Sequence, residues 1–417
     1  MTTAPNGKPR GKKPKPENPI SAATRAWLLS LPPHTQPWRT SDELDTLLNQ
    51  QTPKRFAIYE PMLLLPSGSF DKGLWRTLLS HSGITDDKIH QLWDAILRDV
   101  SKTGSSTLTH LAVNEGIPLQ TGARTGDELA ASKSENILRT PSGLKILHGD
   151  FGHSANPAKP EAEDFEAAFW VSTKQNGIYQ TWAPRWTMFS RGNIKEKARL
   201  LDFHSHAVPE AMSHRRRPTS SLTKHWAVDL YAGIGYFTFS YAKLGLKVLC
   251  WELNPWSVEA LRRGAVANGW RVKVVQDADL ELPAAQLLTG DEQIVVFLQD
   301  NQKATGRIAD IRAAGTAVDI LHVNGGLLPT SEPTWRPAWD MTAVSPESCW
   351  LHLHENVNIH DIESRRAKIQ GLYDGWAAST ESGRTATVEH VELVKTYAPD
   401  VWHCVFDVHI TRSSSVT

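Results

Sequence analysis

The chain has 417 residues, with 45 lysines and arginines against 45 aspartates and glutamates, so its formal net charge at pH 7 is zero. That length indicates two or three domains. A neutral balance excludes a polycation of the histone or ribosomal type, although a local basic patch is compatible with it. Apolar residues make up 40% of the chain and charged residues 22%, which excludes disorder of the whole chain.

The three cysteines, Cys250, Cys349 and Cys404, are far apart and form no Cys-x-x-Cys pair. A disulfide framework and a cysteine zinc site are therefore not expected. No apolar run approaches the roughly 20 residues of a membrane helix, and the first residues lack the apolar core of a signal peptide. These features predict an intracellular protein, cytoplasmic or else nuclear, with no membrane partner and no metal.

The N-terminal part of the chain begins with residues 1–19, which are rich in proline and lysine and are predicted to form a disordered basic tail. Residues 20–135 are predicted to be mainly helical, because TRAWLLSLP, SDELDTLLNQ and DDKIHQLWDAILRDV carry apolar residues at helical spacing. Ser41 and Asp42 supply capping chemistry for the second of these helices. A loop region with a short helix around Leu111 is expected over 101–135.

Residues 136–205 are predicted to form a small α+β domain. The segment FEAAFWVSTKQNGIYQTWAP contains two β-type runs about Asn176-Gly177, which is a strong hairpin signal. A helix is expected to start at Asn193. Residues 206–225 are polar and locally basic, and they are predicted to be a linker.

Residues 226–412 alternate short apolar runs with helical patterns, which predicts a doubly wound parallel sheet. Asn254 and Pro255 suit the first positions of a helix. Two long β-type runs about Ala398-Pro399 predict an antiparallel pair of strands that closes the sheet. The predicted fold class is therefore α/β, with a mixed sheet and helices on both of its faces.

A pair of glycines and an acidic residue are the strongest chemical signal. Gly233 and Gly235 follow the first strand of this domain, and Glu252 ends the second strand about 20 residues later. Glycines let a ligand approach the backbone, and the carboxylate accepts ribose hydroxyl protons. The dinucleotide pattern GxGxxG would need a glycine where this chain has Thr238. The pattern favours a nucleoside without a pyrophosphate, such as S-adenosylmethionine, over a merely tight turn.

Several segments carry a resemblance to a known family. DLYAGIGYFTFSYAKLG, CWELNPWSVEALRRGAVANG and MFSRGNIKEK resemble the class I methyltransferase-like (Rossmann-like) enzymes that modify the purine 3′ of the tRNA anticodon. One branch of that family methylates a guanine ring nitrogen, and the other transfers the 3-amino-3-carboxypropyl group of S-adenosylmethionine. HVNGGLLPTSEPTW, WLHLHENV and VELVKTYAPDVWHCVFDV resemble the second branch. The resemblance covers roughly residues 136–412, with a loose match at THLAVNEGIP before it.

The resemblance implies transfer of the aminocarboxypropyl group to carbon 7 of 4-demethylwyosine in tRNA(Phe), with release of 5′-methylthioadenosine, in wybutosine biosynthesis. A tRNA guanine N1-methyltransferase is the first alternative, and a non-catalytic tRNA-binding protein on the same scaffold is the second. NGGLLP stands where the methylating branch carries an Asn-Pro-Pro-Tyr-like catalytic loop, which favours aminocarboxypropyl transfer. Gln302 replaces the usual arginine of the family, and Gly325 replaces its usual leucine, a change expected to loosen that loop.

The resemblance also implies which residues bind S-adenosylmethionine: Ser190, Lys197, Gly233, Glu252, Asp300 and Asn301. Residue type alone leaves other readings open. Ser190 could cap a helix, Lys197 could be a solvated helix residue, and Asp300-Asn301 could be an ordinary turn.

Arg185 and Arg191 are predicted to bind the tRNA substrate, and the neighbouring Trp186 either stacks on RNA or lies in the core. Arg215, Arg216 and Arg217 either contact tRNA phosphates or lie in a solvated loop.

The sequence leaves open the roles of two further sets of residues. His352 and His354 share one strand face and are expected to be core or edge histidines, because no third metal ligand is indicated. No general base is identified, and Asp300 and His322 are the candidates.

Overall fold

The computed structural model describes residues 17–114, 120–121, 134–135, 144–155, 157, 159–288, 290–345, 348–380 and 383–412. Most of the predicted basic tail therefore lies outside the described residues. The chain divides into two compact units. The first comprises Met1–Pro118 and Ser142–Phe151, and the second comprises Leu119–Pro141 and Gly152–Thr417.

The helices and strands are numbered in chain order. The α-helices are α1 Pro19–Leu29, α2 Ser41–Gln51, α3 Leu74–Leu79, α4 Asp86–Ser101, α5 Ala162–Ala167, α6 Ile194–Asp202, α7 Thr219–Leu222, α8 Thr238–Lys243, α9 Pro255–Ala267, α10 Ala284–Leu287, α11 Ala304–Ala313, α12 Trp335–Met341 and α13 Ile362–Ala378. The strands are β1 Ala57–Tyr59, β2 Met62–Leu65, β3 His110–Val113, β4 Gln120–Thr121, β5 Ser134–Glu135, β6 Lys145–His148, β7 Val171–Gln175, β8 Ile178–Trp182, β9 Trp226–Asp229, β10 Lys247–Glu252, β11 Val272–Val275, β12 Ile294–Leu298, β13 Ile320–Gly325, β14 Cys349–Asn358, β15 Arg384–Ala398 and β16 Val401–Arg412.

The first unit packs helices α1–α4 with a four-stranded sheet of order β1-β2-β3-β6. The predicted helices are present, and Thr40 and Glu43 form a capping box that starts α2. The sheet was not predicted. The expected short helix around Leu111 is wrong, because this fully buried residue lies in strand β3, between β2 and β6. A short apolar run fits a buried strand as well as a buried helix.

The second unit contains an eight-stranded sheet of order β11-β12-β10-β9-β13-β14-β16-β15. The strands from β11 to β14 pair in parallel, whereas β16 and β15 pair antiparallel at one end. Alternate residues of β10 enter different apolar clusters, Leu249 and Trp251 on one side and Val248 and Cys250 on the other. The predicted mixed sheet with helices on both faces is confirmed.

The hairpin predicted at Asn176-Gly177 joins β7 to β8, and both turn residues have positive φ angles, 52° and 71°. Such a pair suits the two-residue turns of tight hairpins. Helix α6 follows, as the sequence indicated. The segment 206–225 contains a short 3-10 helix at Glu210–Arg215 and helix α7, so much of the predicted linker has regular structure.

All three cysteines are free and buried. Within the described ranges, no helix is both long and apolar enough to cross a membrane.

Candidate functional site

The carboxyl ends of the parallel strands bring the glycine loop and the acidic residue together. Gly233 and Gly235 follow β9 with φ angles of 53° and 88°, which side chains rarely adopt. A Cβ on Gly235 would lie 2.5 Å from the Phe239 ring. Both positions therefore need glycine, and the loop keeps bare backbone at the strand ends.

Glu252 faces this loop from the end of β10. The Gly233 N–H donates to Glu252 Oε2 at 2.8 Å, and the N–H groups of Leu253 and Asn254 donate to Oε1 at 2.9 and 2.8 Å. Burial raises the pKa of Glu252, although these three N–H donors oppose the shift. A carboxylate offers about four acceptor positions, so one remains for a ligand hydroxyl.

Behind the glycine loop, a buried carboxylate ties three elements together. Asp229 at the end of β9 accepts from Thr238 N–H and Oγ1, at 3.1 and 2.8 Å, and from Asn324 Nδ2 at 3.1 Å. Thr238 occupies the position of the missing third glycine, and it anchors helix α8 to the strand. Asp229 thus links the glycine loop to the end of β13, a role that the sequence analysis missed.

Asp300 and Asn301 follow β12, next to β10 in the sheet. Asn301 Nδ2 donates to the Leu230 carbonyl at 2.8 Å, which fixes this turn to the end of β9. Exposed Asp300 accepts from the Gln302 N–H at 2.8 Å and caps the short helix that follows. Gln302 itself is exposed. The pair therefore forms a turn at the site, and its predicted contact with adenine stays a prediction.

The segment Ser190–Lys197 reaches the glycine loop through Tyr236. The Ser190 N–H donates to Tyr236 Oη at 3.0 Å, and this hydroxyl donates to the Met188 carbonyl. The Ser190 side chain does not cap a helix. Its Oγ donates instead to Asn193 Oδ1 at 3.3 Å. From strand β15, Lys395 Nζ donates to Ser190 Oγ at 3.0 Å.

Lys197 is not a solvated helix lysine, since its side chain is only 3% exposed. Its Nζ donates to Gln175 Oε1 and to Gln180 Oε1, both at 2.6 Å, and lies 5.1 Å from the centre of the Phe189 ring. Burial lowers the pKa of Lys197 to about 7. This lysine supports the Ser190 segment from the hairpin side.

The predicted RNA-binding arginines lie near this segment. Arg191 is exposed, and Arg185 is half-buried with its guanidinium 5.9 Å from the centre of the Trp186 ring. Trp186 is a core residue, because it stacks on Trp256 with ring centres 5.3 Å apart.

The NGGLLP segment leaves the sheet beside the same strand ends. Gly325 is buried as the last residue of β13 and pairs with Leu353. A Cβ at Gly325 would lie 3.2 Å from the Ser331 side chain, so a larger residue there would need a shift. The loosening expected from Gly325 stays a prediction.

The histidines named from the sequence belong to the core. His322, His352 and His354 are each at most 1% exposed. His322 bonds with His204 and His352, at 2.8 and 2.9 Å, so it is enclosed among other histidines and is a poor candidate for a base.

Arg215 neither lies in a solvated loop nor faces solvent for an RNA phosphate. It is buried and pairs with Glu389 at 2.8 Å and with Asp407 at 3.3 Å. Among the described residues, His214, Glu389 and His409 form one group whose ligand atoms lie within 4.8 Å of one another. Arg215 already holds one oxygen of Glu389, which disfavours a cation there.

The chain is similar to known proteins in sequence and in fold. No protein-family model matches the chain. The tRNA wybutosine-synthesizing protein 2 of Schizosaccharomyces pombe is 38% identical over 357 residues, which cover 85% of this chain and 72% of that protein. The Saccharomyces cerevisiae protein of the same name is 29% identical over 394 residues, covering 87% of this chain and 75% of that protein.

Among solved structures, P. horikoshii TYW2 in complex with MeSAdo covers 94% of this chain and 100% of its own, with a TM-score of 0.52 and 14% sequence identity. That likeness shows the class I methyltransferase-like fold. The sequence identity to the fission yeast protein, over most of both chains, shows the family. This chain belongs to the tRNA wybutosine-synthesizing protein 2 family.

Proposed function

We propose that this protein transfers the 3-amino-3-carboxypropyl group of S-adenosylmethionine to carbon 7 of 4-demethylwyosine in tRNA(Phe), next to the anticodon, in the cytoplasm. Membership of the family supports the reaction. The observation that carries the proposal is the Glu252 carboxylate, which three backbone N–H groups hold beside the glycine loop with one acceptor position left.

In this proposal, Glu252 accepts a ribose hydroxyl and the Gly233 loop lies against the nucleoside. Asp300 and Asn301 border the adenine. On the other side of the glycine loop, Ser190 holds the methionine part of the co-substrate. Lys197 supports the Ser190 segment from the side of the β7–β8 hairpin.

Arg185 and Arg191 contact the tRNA. Arg191 is exposed on the same short segment as Ser190, so a bound tRNA could reach it without rearrangement of the core.

The reaction forms one bond and breaks another. Carbon 7 of the base attacks the γ-carbon of the methionine part, the bond from that carbon to sulfur breaks, and its electron pair returns to sulfur. The products are the modified base and neutral 5′-methylthioadenosine, and the proton on carbon 7 leaves to a base or to water. A sulfonium has three carbons open to attack, so the enzyme selects the product by fixing which carbon lies in line with the nucleophile.

Mass spectrometry of nucleosides tests this function. The purified protein is incubated with S-adenosylmethionine and tRNA(Phe) that carries 4-demethylwyosine, and the matched control is the same tRNA without the tricyclic base. We expect a gain of one aminocarboxypropyl group, with release of 5′-methylthioadenosine. A methyl gain on the control tRNA, with release of S-adenosylhomocysteine, would establish the guanine methyltransferase alternative instead. Binding of tRNA with no mass gain would establish the non-catalytic alternative.

A further inference from the structure

Among the described residues, Lys395 on strand β15 bonds only with neutral oxygens. Its Nζ donates to Ser190 Oγ at 3.0 Å and to Asn193 Oδ1 at 3.2 Å, and the side chain is half-buried. No ion pair joins it to a carboxylate among the residues that the structure describes. Burial lowers the pKa of Lys395, with no acidic neighbour to oppose the shift. An ammonium group has three protons to donate, so this one keeps a donor for a further acceptor.

A second lysine in the same region pairs with a carboxylate of strand β15. Lys195, in helix α6, pairs with Glu392 of β15 at 2.6 Å and also donates to the Leu393 carbonyl. Lys395 lies three residues after Glu392 on β15, and within the described part of the chain it donates only to a hydroxyl and an amide oxygen. The positive charge of Lys395 is thus held in place without being neutralised, which favours the binding of an anion.

The position of this charge indicates which anion it binds. Ser190 receives the bond from Lys395 on its side chain, and its N–H donates to Tyr236 in the glycine loop. Tyr236 comes three residues after Gly233, whose N–H donates to Glu252. A series of hydrogen bonds and adjacent residues therefore connects Lys395 with the proposed nucleoside cradle.

We propose that Lys395, which Ser190 holds in place, binds the α-carboxylate of S-adenosylmethionine and so positions the aminocarboxypropyl group for transfer. This inference rests on the proposed function and adds to it a positioning residue from the far end of the chain. A carboxylate held at this point fixes one end of the group whose γ-carbon must face the base.

Gly192 allows a test that leaves the charge intact. A Cβ on Gly192 would lie 2.5 Å from Lys395 Cδ and 2.9 Å from Nζ. Because those atoms end a flexible side chain, Gly192→Ala moves the ammonium group aside at little cost to the fold. The matched control is Lys195→Met, which removes a lysine of the same region that already has a carboxylate partner.

Calorimetric titration with three ligands tests the proposal. S-adenosylmethionine carries the carboxylate, decarboxylated S-adenosylmethionine keeps the sulfonium and amine without it, and 5′-methylthioadenosine lacks the whole group. For Lys395→Met we expect a loss of about ten-fold or more in affinity for S-adenosylmethionine, the usual effect of one charged hydrogen bond. The other two ligands should bind within about two-fold of the unaltered protein. Gly192→Ala should show the same selectivity, Lys395→Arg should restore most of the affinity, and Lys195→Met should change none of the three.

Equal loss for all three ligands would overturn the proposal and make Lys395 a structural residue. Unchanged affinity for S-adenosylmethionine with weaker tRNA binding would overturn it in favour of a phosphate contact. Thermal melting of each variant without ligand separates these results from misfolding. Since binding is measured without transfer, a selective loss would still stand if product analysis showed methylation, so the two proposals fail separately.

Discussion

His352 Nδ1 lies 2.7 Å from Asp407 Oδ1, and both side chains are completely buried. On the other side of the ring, His352 Nε2 lies 2.9 Å from His322 Nδ1, and His322 Nε2 lies 2.8 Å from His204 Nε2. His204 Nδ1 ends the series 2.5 Å from the Arg215 carbonyl oxygen. Three histidines thus connect two oxygen acceptors.

The hydrogen bonds of this series require an extra proton. Each of the two N···N contacts holds one proton, and each end nitrogen needs a proton to donate to oxygen, which makes four protons on three rings that hold three when neutral. Burial lowers the pKa of His204 to about 4 and holds that of His322 well below its usual range. Of the three rings, His352 is the one that faces the Asp407 carboxylate, so we expect the extra proton on it.

Nitrogen-15 NMR of the histidine rings checks this count. At pH 7.5 we expect both nitrogens of His352 to be protonated, whereas His204 and His322 each show one protonated and one bare nitrogen. His352→Gln identifies the signals, and exposed His360 supplies the spectrum of a histidine in water. Three neutral rings would contradict the count and place the proton on Asp407.

Asp407 is the carboxylate on which this buried network depends. Burial alone would raise the pKa of Asp407, but the charges of Arg199 and His352 hold it well below its usual range. Asp407→Asn removes the carboxylate that His352 and Arg199 share and leaves Arg199 with Glu196 alone, so we expect the free energy of unfolding to fall by about 3–5 kcal/mol. Urea denaturation measures the change.

The control for Asp407 is Asp340→Asn, which removes an exposed ion pair with Arg336. It should cost at most about 1 kcal/mol. Equal effects of the two substitutions would contradict the buried role of Asp407. The folded chain holds the pKa of Asp407 below its value in the unfolded chain, which is about 4. Asp407 therefore stabilises the fold fully above about pH 4, and this contribution is lost as the pH falls through the depressed pKa.

Features set by neighbouring residues were predictable from the sequence. The Asn176-Gly177 turn and the start of α9 after Asn254 are confirmed, because turn and cap chemistry depend on a few adjacent residues. The order of parallel strands places Gly233 and Glu252 together at one edge of the sheet, so this pair could also be expected.

Contacts between distant parts of the chain could not be predicted. Lys395 and Ser190 are 205 positions apart, and Arg199 is 208 from Asp407. Such pairs form only when distant segments become neighbours in the fold, and no local sequence pattern indicates which segments do so. Arg215 illustrates the difficulty, since a basic run in a polar segment is typical of a solvated loop, yet a distant strand supplies its carboxylate.

Glu252 provides a direct test of the nucleoside cradle. Glu252→Gln keeps the size of the side chain, but one acceptor oxygen becomes an amide that cannot receive a backbone N–H. We expect the affinity for S-adenosylmethionine and for 5′-methylthioadenosine to fall alike, by about ten-fold or more. The matched control is Glu281→Gln at an exposed position. A loss confined to S-adenosylmethionine would contradict a ribose contact.

Lys197 makes the protein's stability depend on pH in an identifiable way. Its pKa falls from the usual 10.5 to about 7 in the folded chain, because burial opposes its charge. Between pH 7 and 10 the unfolded chain therefore binds more protons at this residue than the folded chain does, so stability rises with pH in that window.

Lys197→Met removes the ionisable group and keeps much of its volume. We expect the unaltered protein to gain about 2–4 kcal/mol in unfolding free energy, relative to this variant, between pH 7 and pH 10. Urea denaturation at several pH values measures the difference and cancels groups common to both proteins. A difference that stays constant with pH would mean that Lys197 keeps its ordinary pKa, and that the buried position between Gln175 and Gln180 does not destabilise its charge.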